Sequence, residues 1–139
     1  MRKLIYLLLL AVISTAFSFA EDSIPDILLK QTLTFAQKDT SELKMDIYRL
    51  KGTTHEKQPV MIFMFGGGFK GGKRNDPYYT NYFITLASQG ITTISIDYRL
   101  GLVDQKITLF NTKAADYAIN MAVEDLFQQP AMLLTMQKN

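Results

Sequence analysis

The 139 residues include no cysteine and a single histidine, His55. Without cysteine there is no disulfide framework and no cysteine for lipid attachment, so any fold must rest on an apolar core. An excess of one charge is missing as well. The first twenty residues hold two of the 15 cations, Arg2 and Lys3, and no carboxylate; the remainder carries 13 Lys and Arg against 13 Asp and Glu. A neutral chain has no basic stripe for nucleic acid, and no nucleic-acid partner is expected. Internal repeats, low-complexity tracts and Pro/Gly/Ser linkers are also lacking, in keeping with one domain at this length.

What is present begins with "MRKLIYLLLLAVISTAFSFAED". Two cations precede an apolar run over residues 4–13, and Ser18-Phe19-Ala20 precedes Glu21. That pattern predicts a secretory signal peptide over residues 1–20, cleaved after Ala20, and hence a secreted or periplasmic product. The apolar run is short for a membrane span and has no stop-transfer flank, so no stable membrane anchor is expected.

Downstream, alternation predicts strands over residues 28–36 and 42–50, the second with Leu43, Met45, Ile47 and perhaps Arg49 sharing a face. The polar turn 38–41 would join them as an antiparallel pair. "KGTTHEKQ", residues 51–58, reads as a solvated loop containing His55. "PVMIFMF", residues 59–65, has no polar residue and reads as a central strand covered on both faces. Asp76-Pro77 marks the start of a helix that runs to Gln89 and is capped by Gly90. A β-branched strand follows over residues 91–98, then an alanine-rich helix over residues 112–127. The order hairpin, strand, helix, strand, helix predicts an α/β fold whose sheet becomes parallel.

Between the apolar strand and the first helix lies "MFGGGFKGGKR", residues 64–74, with five glycines. Gly66, Gly68 and Gly71 fit G-x-G-x-x-G, while Gly67, Gly72 and Lys73 fit most of a P-loop. Both phosphate sites need a helix to start at the loop, and here it waits for Asp76-Pro77. The P-loop also needs Ser or Thr after its Lys, where this chain has Arg74. The dinucleotide pattern wants an acid about twenty positions on, and Asp97 lies roughly thirty on. A third use of such a loop is to present backbone N–H groups to the alkoxide that develops during acyl transfer.

Four motifs in order favour that third use. "LKMDIYR", "PVMIFMFGGGFKGGKRND", "GITTISIDYRLG" and "AINMAVEDLF" together resemble the N-terminal part of the α/β-hydrolase superfamily, in its carboxylesterase and lipase branch, from about Leu43 to Phe127. The resemblance implies a serine esterase that works through an acyl-enzyme on a small-molecule ester, with no metal or organic cofactor. It places the oxyanion-hole N–H groups at Gly67 and Gly68, with Phe65, Gly66 and Phe69 supporting the loop. Phe65 stands where the family usually has His or Tyr, so the support is apolar here. Asp97, Tyr98 and Arg99 take structural roles by the same resemblance, and Asp125 is expected on a helix surface or in packing.

The nucleophile elbow G-x-S-x-G occurs nowhere in these residues. Ser88 and Ser95 lack flanking glycines, and His55 precedes the loop whereas this fold places its His last. No catalytic triad is therefore expected in the chain, which reads as the N-terminal portion, residues 21–139, of one such domain. The ending "QQPAMLLTMQKN", residues 128–139, does not resemble the family. A shift of two bases can turn it into A-T-S-N-V-I-D-N-A-K-E, which does, so an out-of-frame tail is expected. Alone, such a portion would expose the apolar strand 59–65 as an unpaired edge, an aggregation hazard. The alternative reading is a non-catalytic exported fragment that binds or complements a partner chain.

Overall fold

The computed structural model describes residues 24–53, 58–105 and 112–128. The leader (1–20), His55 and the tail from residue 129 lie outside the described residues. The hairpin is formed by β1, Leu28–Lys38, and β2, Ser41–Leu50, paired antiparallel with a bulge between Thr34 and Ala36. Both strands are longer than the alternation alone predicts, since the turn is tight and Asp39 takes φ 51°. Aspartate tolerates that left-handed conformation because its short polar side chain suits local turn geometry.

β3, Val60–Met64, leads through the glycine loop into α1, Pro77–Ser88, and α1 returns to β4, Thr92–Ile96. β4 lies parallel to β3 and antiparallel to β2, giving the order β1-β2-β4-β3. The helix boundaries follow from their caps. Asp76 accepts a hydrogen bond from the Tyr78 amide at 3.0 Å, Pro77 fills the first turn, and Gly90 leaves the helix at φ 83°. α2, Lys113–Phe127, closes the described structure.

The apolar run of β3 reads as a central strand, but among the described residues it is an edge strand with a single partner, as expected of the N-terminal portion alone. Its residues are only partly covered, and Val60 is exposed. All five residues of β4 are buried, since it has a strand on each side and helix residues packed over the sheet on each face.

The two faces of the sheet have separate cores. Tyr48 and Leu28 pack with Phe83 and Ala87 of α1, joined by Met61 and Phe63. Met45, Ile47, Ile94 and Ile96 form the other face, joined by Ile62 and by Leu126 of α2. β2 thus buries Leu43, Met45 and Ile47 as expected, and also Asp46 and Tyr48 on the reverse side. Arg49 is half-buried, its guanidinium donating to the Thr53 carbonyl at 3.3 Å.

Candidate active site

The glycine loop leaves the sheet at Phe65, which is buried. Beyond it the backbone enters conformations that L side chains rarely adopt: Gly67 at φ 145°, Gly68 at 62°, Phe69 at 61° and Gly72 at 104°. Space is short as well. A Cβ on Gly67 would lie 2.0 Å from the Gly71 carbonyl oxygen, and one on Gly72 would lie 2.5 Å from the Phe65 ring and 2.6 Å from the Gly66 oxygen. The loop folds on itself so closely that only glycine fits these two positions.

Four of its carbonyls are tied down. The Tyr98 hydroxyl donates to the Phe65 oxygen at 2.7 Å, and the Lys70 amide to the Gly67 oxygen at 3.1 Å. The Leu102 amide donates to the Phe69 oxygen at 2.9 Å, and Ser95 Oγ to the Arg74 oxygen at 2.8 Å. In a trans peptide the next N–H points opposite the carbonyl, so each pinned oxygen aims the following amide the other way. The N–H groups of Gly67 and Gly68 donate to no group among the described residues, and both glycines are exposed. Two successive free donors on a braced loop can receive an oxygen that carries negative charge.

Aromatic packing completes the brace. The Phe65 and Tyr98 rings stack at 4.5 Å, and Phe69 meets Tyr98 edge-on at 6.1 Å. Burial raises the Tyr98 pKa, so its hydroxyl keeps the proton it donates.

The residues after β4 divide the remaining anchoring between them. Asp97 Oδ2 accepts from the Arg74 guanidinium at 2.6 Å and from the Lys44 amide at 3.1 Å, tying the loop exit to β2. Arg74 Nε also lies 3.2 Å from Asp46, whose other contacts are Thr32 Oγ1 at 2.7 Å and Lys30 at 3.8 Å. Arg99 donates from backbone and side chain to Asp125, and reaches Glu124 at 2.7 Å. Its pKa is raised, chiefly by Asp125. Lys38 first and Arg99 second hold the Glu124 carboxyl below the usual carboxylate range.

Of the two positions expected for Asp125, helix surface or packing, the second holds. It is fully buried and forms the ionic partner of Arg99, because α2 packs where Gly101 lets the chain approach Ala118. The structural roles expected of Asp97, Tyr98 and Arg99 are what the geometry shows. Phe65, Gly66, Gly67, Gly68 and Phe69 come together at the C-terminal end of β3, where an α/β sheet places its ligand sites. The phosphate alternatives lose their anion site, because the Asp76 carboxylate already occupies the start of α1. Asp46, with its buried carboxylate, was not singled out from sequence; an acid inside an apolar strand was the available signal. Among the described residues, no group of three or more His, Cys, Asp or Glu could hold a metal, and no helix is long and apolar enough to cross a membrane.

Comparison with known proteins meets this geometry. The family model BD-FAE matches residues 45–126, more than half of the chain and all of the loop with its supports. The chain belongs to the BD-FAE family. As a BD-FAE protein it is similar to the fumonisin B1 esterase of Sphingopyxis macrogoltabida, 33% identical over 85 residues, which is 61% of this chain and 15% of that protein. Its fold is similar to brefeldin A esterase, a bacterial homologue of human hormone sensitive lipase, with TM-score 0.56 and 18% identity over 81% of this chain and 28% of that one. Esterase B from Lactobacillus rhamnosis gives TM-score 0.52 and 23% identity, over 92% and 37% of the two chains. These likenesses identify the α/β-hydrolase fold. The BD-FAE chain described here spans about a seventh of the curated relative and under two fifths of either structural neighbour.

Proposed function

We propose that this chain supplies the oxyanion-binding loop of a serine-type carboxylic ester hydrolase, with the Gly67 and Gly68 N–H groups as donors. The observation that carries the reading is that these two amides are exposed and unengaged among the described residues while the Phe65, Gly67 and Phe69 carbonyls are held. As a nucleophile attacks an ester carbonyl, negative charge moves onto its oxygen. Preorganised donors stabilise that charge by roughly 2.7–4 kcal/mol each. The serine, histidine and acid of the acyl-enzyme mechanism would come from parts of the fold outside these 139 residues, and the substrate would be a small-molecule ester.

The test is turnover of a short p-nitrophenyl ester by the protein restored through the reading frame shifted at residue 128. Gly67→Ala in that protein is expected to lower kcat by about a hundredfold or more. An unaltered kcat in the variant would sink the assignment, as would absence of a G-x-S-x-G after a strand in the shifted frame. We further propose that residues 1–20 direct export. N-terminal sequencing of the exported protein should begin at Glu21, and an intact Met1 in that fraction would exclude it.

A second reading draws on the edge of β3, which among the described residues has no strand beside it on one side and so offers a row of backbone donors and acceptors. On it, the chain is a non-catalytic exported unit that complements a partner chain. Co-purification of a strand-donating partner with no ester turnover in any restored form would favour this second reading.

A further inference from the structure

The loop's N-terminal end depends on one hydroxyl. The peptide between Phe65 and Gly66 lies between the end of β3 at Met64 and the first positive-φ residue, Gly67. Its carbonyl oxygen accepts from Tyr98 Oη at 2.7 Å, in a bond buried at both ends. The Phe65 ring is held on two sides. Tyr98 stacks at 4.5 Å, and Gly72 lies so close that an added Cβ would fall within 2.5 Å of the ring. The Gly66 oxygen rests against the same Gly72, at 2.6 Å from where a Cβ would be. Moving the Phe65 peptide would therefore turn the Gly66 peptide, and that unit carries the Gly67 N–H.

We propose that Tyr98 is a positioning residue for the oxyanion donors. It acts through Phe65: its hydroxyl fixes the orientation of the first loop peptide and its ring fixes the side chain that Gly72 packs on. Tyr98 does not touch substrate. The inference rests on the esterase reading for its consequence, but the bracing can be measured without substrate.

The eight glycines of the chain make the experiment specific. Glycine-selective 15N labelling of the full chain gives amide signals for the five loop glycines and for Gly52, Gly90 and Gly101, of which Gly52 and Gly90 lie in separate turns. Tyr98→Phe keeps the ring and removes the hydroxyl. The expected result is a shift of the Gly66, Gly67 and Gly68 signals and a fall in their heteronuclear NOE, with Gly52 and Gly90 unmoved. Tyr98→Leu should enlarge the same local change. Unchanged loop signals in both variants would overturn the proposal. So would equal movement of all eight signals, which would mean a general structural role. In the restored protein, Tyr98→Phe should lower kcat severalfold at unchanged KM. If the restored wild type turns over no ester while the loop signals still respond, the esterase reading fails and the bracing stands.

Discussion

Two residues in this molecule adopt nearly the same left-handed conformation, Asp39 at φ 51° and Phe69 at φ 61°, and they are held there by different means. Asp39 sits in the exposed hairpin turn, where neighbours in sequence set the geometry. Phe69 is bulky, a residue type for which this conformation costs about 1–2 kcal/mol. It stays because Leu102 donates to its carbonyl and Tyr98 meets its ring. The hairpin turn is locally encoded, whereas the glycine loop is held mainly by residues more than 20 positions away in the chain. Strain maintained by remote contacts is the pattern expected of a working site.

Breaking the remote support should therefore hurt most. Asp125→Ala leaves the Arg99 guanidinium without its buried partner and frees the backbone just after Tyr98. A loss of about 3–5 kcal/mol is expected in denaturant unfolding. A loss no larger than that of a surface substitution would contradict the anchoring role. Next comes Gly67→Ala, whose Cβ meets the Gly71 oxygen at 2.0 Å. Overpacking and strained backbone predict about 2–4 kcal/mol, again read by denaturant unfolding.

The sharpest contrast is between the two left-handed residues themselves. Asp39→Gly should be neutral or stabilise by up to about 1 kcal/mol, since glycine relieves the conformation and the side chain is exposed. Phe69→Gly relieves the same conformation but should destabilise by about 1–2 kcal/mol through the lost ring contact. Matching signs for the two substitutions would erase the distinction drawn here.

The smallest expected effect is on pH. Glu124 has a folded-state pKa below its unfolded one, because Lys38 and then Arg99 favour its charged form. Its contribution is full above the unfolded carboxylate value and is lost as pH falls through the lowered one. Glu124→Gln should flatten only that acid limb of a melting-temperature profile, and slightly, as both partners of an exposed pair are hydrated.

Much of this arrangement is legible in the sequence because it is local. Asp76-Pro77 and Gly90 bracket α1 through their own backbone chemistry, and the apolar run of β3 ends where the glycines begin. The positions of Gly67, Gly68 and their neighbours follow from the same local signals together with family resemblance. What the sequence hid is non-local. Nothing in "TTISI" says that β4 inserts between β2 and β3, so the burial of Asp46 and Tyr48 could not be read from alternation. Helical periodicity leaves Asp125 open between a surface and a packing position, because it does not show that Arg99 will be brought beneath it. The Tyr98 hydroxyl bond spans 33 positions, beyond any motif spacing.

The strand order also constrains the sequence of events during folding. β1 and β2 are joined by a tight turn and can pair early, within microseconds for a hairpin of this kind (roughly 1–10 μs). β3 has no such neighbour: its partner in the described sheet, β4, is reached only after the loop and α1 have been traversed. β4 pairs with both strands, and each pairing closes a long segment, which is slow because the entropy of closure is lost before the contacts form. Until β4 lies beside β3, neither Tyr98 nor Ser95 is in place to hold the loop, so the shape of the glycines depends on a non-local pairing.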